Sequence, residues 1–413
     1  MQSTRQVAAI TIDIQRYWQR VWTIIVGLCL GLGFFWPSIV LAHANLTVNG
    51  WIPWWQAEQG IASARQNLDV LDTIYPFVYE IENGTTITSK SDLDKEKWQE
   101  LFREARREEV AIIPTIAWFK GRDIHQTLTN NDARMSHIKD IVALVETGGY
   151  DGINIDYEQK LAETKLFFSL FLAQLKLALP EDILLTCAIE ARTPPADRFR
   201  TLPTTLQYAN HYPTIGRICD RVEIMAYDQG RADWRLNEAR RGHPYSAVAD
   251  TEWVEKVLAL ALEDLPADRV RLGVPTYGRV WDVTVAPEWY REYTPVASIN
   301  RPRMEELAAI YNVTPSRGAS GEMVFTYFPN TSPYRVLTAL PVLEGTPTGF
   351  ANAARALMFA NATGREVTVR FASYNDATAM QDKVRLAERF GIEGVAFFKI
   401  DGEEDERIWD MLR

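Results

Sequence analysis

Basic clusters, histidine, cysteine and low-complexity tracts are all scarce in this chain of 413 residues. Lys and Arg number 44 against 54 Asp and Glu, a net charge of −10, and no stretch is strongly basic. That leaves no electrostatic footprint for a polyanion, so nucleic acid is not an expected partner. Only five histidines are present. His43 lies near the N-terminus, and His125, His137, His211 and His243 show no metal-ligand spacing, so neither metal nor other cofactor is expected. Three cysteines are too few for a disulfide framework. There is no internal repeat, no low-complexity linker and no separate binding module. What remains is ordinary globular composition, 47% hydrophobic and 24% charged, which excludes disordered, collagenous and coiled-coil chains. Aromatics are plentiful: 13 Trp, 16 Tyr and 17 Phe. They serve cores, and they also make platforms for sugar rings.

Residues 1–44 read as separate from the fold. Val21–Ala42 is an almost unbroken apolar run preceded by Arg5, Arg16 and Arg20, and it ends in the small-x-small pattern Ala42-His43-Ala44. This is the pattern of an export signal cleaved before Asn45. The run is also long enough to be a retained anchor, so any membrane association is expected only through residues 21–42. Either way the bulk of the chain is expected to be exported: secreted, periplasmic or associated with the cell envelope. Without residues 1–44 the net charge is about −12, which suits a soluble monomer. Of the two remaining cysteines, Cys187 lies in an expected core strand. Two buried thiols are therefore favoured over a single bridge.

From Asn45 on, short apolar runs alternate with amphipathic helical stretches. The runs are Leu46–Ile52, Thr73–Glu80, Val110–Trp118, Gly152–Glu158, Leu184–Glu190, Val222–Asp228, Val270–Tyr277 and Gly394–Ile400. Helical patterns fall at Asp92–Arg107, Asp132–Glu146, Leu161–Leu179, Thr251–Leu262 and Thr378–Phe390. Such alternation means parallel strands with crossover helices. Eight runs match a TIM (β/α)8 barrel over residues 45–413, with function at the strand C-terminal ends. A doubly wound open sheet is the runner-up, but no Gly-rich phosphate loop follows any run. Between the seventh and eighth runs the spacing breaks. Residues 282–372 are too long for one βα unit and are expected to form a small α+β insertion on the active face.

The informative segment is Tyr150-Asp151-Gly152-Ile153-Asn154-Ile155-Asp156-Tyr157-Glu158. Side chains alternate along a strand, so Asn154, Asp156 and Glu158 share one face and Ile153, Ile155 and Tyr157 the other. A row of polar groups on the inner face is costly unless paired or used. Two neighbouring carboxylates cannot both ionise easily, so one pKa rises. A raised Glu can then act as a general acid near neutral pH. A buried hydrogen-bond network or cation site is the alternative reading.

Asp151, Asn154, Asp156 and Glu158 resemble the D-x-x-D-x-D-x-E signature of glycoside hydrolase family 18, the chitinase-like hydrolases. The resemblance implies that Glu158 protonates the glycosidic oxygen and that Asp156 orients the substrate's 2-acetamido group. The acetamido oxygen then attacks the anomeric carbon, giving an oxazolinium ion and net retention, an exception to the usual two-carboxylate scheme. One departure is Asn154, where the family has Asp. Asn can still hydrogen-bond Asp156 but cannot carry charge, so an altered pH profile is expected.

Further segments carry the same resemblance. Val222–Asp228 resembles the family's M-x-Y-D, with Met225 at the substrate, Tyr227 on the acetamido group and Asp228 supporting that subsite. Leu272–Trp281 resembles the seventh strand and its exit, with Tyr277 and Arg279 in the cleft or purely structural. Tyr374-Asn375-Asp376 resembles the family's Y-D-D. In the eighth run Phe398 stands where the family has a Trp flooring the reacting sugar's subsite, and Phe offers a smaller stacking face. By position alone, Trp54, Trp55, Glu80, Trp118 and Glu190 fall at strand ends where cleft residues belong. Glu190 is either a third acid or a partner for a substrate amine.

The resemblance implies a retaining hydrolase of β-1,4-linked N-acetylglucosamine-containing glycans, either chitin and its oligosaccharides or peptidoglycan. The rival is a non-catalytic lectin on the same barrel. Such relatives lack the acid that Glu158 supplies here.

Overall fold

The computed structural model describes residues 46–82 and 84–413. The expected signal or anchor lies outside them, and no helix among the described residues is long and apolar enough to cross a membrane. Eight parallel strands close into a barrel: β1 (Thr47–Pro53), β2 (Thr73–Ile81), β3 (Ala111–Ile112 and Thr115–Trp118), β4 (Gly152–Tyr157), β5 (Leu184–Glu190), β6 (Arg221–Met225), β7 (Val270–Pro275) and the last strand, β12 (Gly394–Phe398). Each pairs with its neighbours in sequence order, and β12 closes on β1. Pro114, which has no N–H to donate, sits where β3 is interrupted.

Crossover helices cover the outside. Helices Glu96–Arg107, Asn131–Gly148, Lys165–Ala178, Thr251–Ala261 and Ala377–Phe390 lie where the periodicity put them. Their ends follow capping chemistry. Asn130 and Asp376 accept the amides of Ala133 and Ala379, and Gly149 and Gly391 take the left-handed C-terminal position. Outward-facing Ile153, Ile155 and Tyr157 of β4 are fully buried against this ring.

The closed end of the barrel carries a repeated device. Asp72, Asp151 and Asp220, each just before an even-numbered strand, accept the backbone amide of Val48, Ile112 and Leu185 on the preceding odd-numbered strand, at 2.7, 2.7 and 2.8 Å. Asp151 is thus an exposed latch about 23 Å along the strand from Glu158 and not part of the site. Its place in the motif is structural.

The insertion is a second, antiparallel sheet. Its four longer strands are β8 (Tyr277–Ala286), β9 (Trp289–Asn300), β10 (Met323–Tyr327) and β11 (Val367–Tyr374), ordered β9-β8-β11-β10, and the two-residue strand Ser316–Arg317 pairs on the outer edge of β10. Helix Ala351–Thr363 covers one face over a core of Trp281, Val283, Val285, Phe350 and Phe371. Buried Glu322 ties the insertion to the barrel by accepting the amides of Val248 (3.2 Å) and Ala249 (2.6 Å). The seventh barrel strand ends at Pro275, not Tyr277. Tyr277 already pairs with Asn300 across the β8–β9 hairpin. This hairpin escaped the sequence reading because β9 is largely exposed and lacks apolar alternation.

A second correction concerns Cys187 and Cys219, which form a disulfide rather than two thiols. Cys187 faces outward on β5, and Cys219 ends helix Tyr212–Ile218 just before the adjacent β6. Their Cα atoms are 6.2 Å apart, within bridging reach. The pairing depends on β5 lying beside β6, which cysteine spacing does not reveal.

Candidate active site

A cavity of about 500 Å³ opens at the C-terminal mouth of the barrel. Asp156 and Glu158 of the β4 end line it, with Glu80, Glu190, Met225, Tyr227, Asp228 and Phe398 from other strand ends. Phe398 forms the floor. Its ring stacks on Tyr227 (centroids 5.5 Å apart, 21° between planes) and meets Trp51, Phe77 and Tyr277 edge-on at 5.9, 6.2 and 6.2 Å. An aromatic floor with acids along one wall suits a sugar ring, whose C–H face stacks while its hydroxyls bond outward.

The electrostatics single out the acid pair. Asp156 is almost wholly buried, and its Oδ1 has no hydrogen-bond partner. Burial, then the charge of Glu158, holds its carboxyl well above the ordinary carboxylate value. Burial, then Glu190, pushes the Glu158 carboxyl up to about 7, against a pull downward from the Lys160 ammonium. Like charges in a shared low-dielectric site have this effect, so the pair retains a proton at neutral pH. Burial also holds the Tyr227 hydroxyl well above its usual range, keeping it a hydrogen-bond donor.

Asn154 makes no hydrogen bond to Asp156. Its amide donates to Thr186 Oγ1 (2.7 Å) and Glu223 Oε2 (3.0 Å), and its oxygen accepts from Thr115 Oγ1 (3.1 Å). Glu223 accepts from the Tyr75 hydroxyl (2.7 Å) and faces Arg271 at 3.9 Å. The guanidinium of Arg271 also grips Glu393, at 2.8 and 3.0 Å. Asn154 therefore caps a buried ionic network that fills the barrel beneath the site. The expected bond from Asn154 to Asp156 is absent because both amide hydrogens of Asn154 are committed to Thr186 and Glu223.

Other expected cleft residues divide by where the local backbone aims them. Trp55 lines the cavity. Trp54 stands behind it, edge-on at 5.7 Å, and donates its Nε1–H to Glu80 (3.1 Å). Glu80 reaches the cavity because of a β-bulge between Phe77 and Tyr79. Phe77 pairs with Thr115 and Glu80 with Ala117, and both partners point inward. Trp118 is a correction: it points outward and is buried against His137 and Tyr157, at 5.7 and 5.3 Å. Tyr277 and Arg279 do not line the cavity. They fix Asp228 instead, through the Tyr277 hydroxyl (2.8 Å) and a two-pronged guanidinium contact (2.9 and 2.6 Å). Asp228 needs that support, since it holds a left-handed φ of 56°. Lining residues that the sequence reading missed include Trp51, Arg198, Gln229 and Trp253. Trp51 was within reach, because it shares the inner face of β1 with Asn49. The others come from a loop and two helices, where no strand parity applies.

A closed parallel barrel, an antiparallel insertion after its seventh strand and paired acids over an aromatic floor define a glycoside hydrolase. The family description "Glycosyl hydrolases family 18" matches residues 50–403, and the chain belongs to that family. Among curated proteins it is similar to the uncharacterized glycosylase YvbX of Bacillus subtilis, 24% identical over 71% of this chain and 70% of that one. Among solved structures it is similar to the Bacillus cereus spore cortex-lytic enzyme SleL, with TM-score 0.63 and 19% identity over 89% of this chain and 73% of that one. A Cycas revoluta chitinase in complex with (GlcNAc)3 matches with TM-score 0.61 and 14% identity, over 89% of this chain and 98% of that one.

Proposed function

We propose that the protein cleaves β-1,4-linked, N-acetylglucosamine-containing glycans with retention of configuration, by substrate-assisted catalysis. The carrying observation is the Asp156–Glu158 pair at the cavity, with Glu158 held at about 7 and Asp156 Oδ1 unpartnered. With a sugar stacked on Phe398, Glu158 delivers its proton to the glycosidic oxygen as the C1–O bond breaks. The acetamido carbonyl oxygen forms the new bond to C1. Asp156 accepts the acetamido N–H and balances the positive charge of the oxazolinium ion. Tyr227 donates to the same group. Glu158, now a carboxylate, takes a proton from the water that opens the ring from the face the leaving group left.

The substrate is chitin-like or peptidoglycan, and similarity to both a chitinase and a cortex-lytic enzyme supports each. Action outside the cytoplasm is part of the proposal. The Val21–Ala42 run with its Ala42-His43-Ala44 exit supports it, as does the Cys187–Cys219 bridge, a bond suited to oxidising compartments. The test is incubation with defined chito-oligosaccharides and with muropeptide-bearing glycans, read by mass spectrometry, with product anomers followed by proton NMR. β-Anomer products from one substrate are expected. Tight binding without cleavage of either would establish the lectin instead.

A further inference from the structure

Glu190 makes more contacts than a cleft-wall residue needs. Its Oε1 accepts the backbone amide of Gln159 (3.1 Å), the residue directly after Glu158, which holds a left-handed φ of 56°. Its Oε2 accepts from Asn210 Nδ2 (2.5 Å) and faces the ammonium of Lys160 at 3.4 Å. Lys160 has a fully buried side chain, donates to the Tyr157 carbonyl on the other side of Glu158 and stands 4.7 Å over the Phe168 ring. An unusual backbone conformation at a functional site persists only when its surroundings hold it. Here the turn carrying Glu158 is gripped on both sides by one ion pair.

We propose that Glu190 is a positioning residue for Glu158: with Lys160 it clamps the Tyr157–Gln159 turn and so fixes where the acid points. This rests on the hydrolytic reading above. The clamp also acts electrostatically. The charged groups facing Glu158 are Glu190, Asp228, Asp156 and Lys160, and Glu190 in turn faces Lys160 and Arg192. Glu190 and Lys160 pull the acid's protonation in opposite directions, so their removal has opposite consequences.

Three variants of the full chain test this. Glu190→Gln keeps an acceptor for Gln159 and loses the charge. The alkaline limb of its kcat–pH profile is expected at lower pH. Lys160→Met is expected to move that limb to higher pH. Glu190→Ala loses the grip itself, and kcat is expected to fall by about 10- to 100-fold with KM within about twofold. Limbs that do not move in opposite directions, or a Glu190→Ala enzyme with wild-type kcat, would overturn the proposal. If the wild-type protein cleaves no glycan, the hydrolytic reading fails on its own. The clamp is then read by carbon-13 NMR of the Glu158 carboxyl, assigned by its loss in Glu158→Gln. Its titration must fall in Glu190→Gln and rise in Lys160→Met, and unmoved titrations overturn it.

Discussion

Asn154 donates to Glu223 at 3.0 Å, so the negative charge in the barrel's middle layer comes from β6 rather than from β4. Glu223 is fully buried, and burial raises its carboxyl above the usual value although Arg271 opposes the shift. Restoring the family's Asp at this position is therefore expected to harm the protein. Asn154→Asp sets two buried carboxylates against each other and is expected to cost about 3 kcal/mol at pH 7. The loss should shrink toward pH 5 as one acid takes up a proton. Adding Glu223→Gln should recover much of it. Urea unfolding of the single and double variants checks this.

Glu158→Gln removes the only proton donor assigned to the leaving group. Turnover is expected to drop by about 10²- to 10⁴-fold with an unchanged circular dichroism spectrum. Undiminished hydrolysis would reject Glu158 as the acid.

The same carboxyl makes stability depend on pH. Its folded value of about 7 lies above the ordinary 4.5, so the folded state binds the proton more tightly than the unfolded chain. Stability is then lost as pH rises from about 4.5 to about 7. Glu158→Gln is expected to melt higher than wild type at pH 8 and to lose that advantage below pH 4.5. The alkaline limb of wild-type activity is expected near pH 7, because the acid must enter the reaction protonated. Differential scanning calorimetry and pH–rate profiles report the two effects separately.

The Cys187–Cys219 bridge closes a loop of 32 residues in sequence separation. Replacing both with Ala is expected to lower the unfolding free energy by roughly 4 kcal/mol. Alkylation without reductant, followed by peptide mapping, should recover the two cysteines as one cross-linked pair.

The barrel was legible because buried parallel strands stand out as apolar runs between helical patterns. The acid pair was legible because alternation on β4 leaves no freedom over which side chains face inward. Elsewhere the same rule needed information that a sequence does not display. The bulge before Tyr79 turns Glu80 into the cleft, while the register of β3 turns Trp118 away from it. The roles of Tyr277 and Arg279 depend on β8 leaving the barrel at once, which lays their side chains against Asp228 rather than against the cavity. Trp253 reaches the site from a helix and donates to Thr193 (2.8 Å), a contact across 60 positions that no local pattern encodes.

The aspartate latches at the closed end divide the barrel into couples. Asp72 joins β1 to β2, Asp151 joins β3 to β4, Asp220 joins β5 to β6, and Cys187–Cys219 reinforces the last of these. No such latch joins β2 to β3 or β4 to β5 among the described residues. The molecule is thus stitched in two-strand modules, and its natural seams run between them. A chain divided between Tyr157 and Leu184 keeps each stitch within one fragment, whereas one divided between Glu190 and Cys219 leaves two of them spanning the break. Complementing fragments, and any shuffling of strands among related barrels, should respect the first seam and fail at the second.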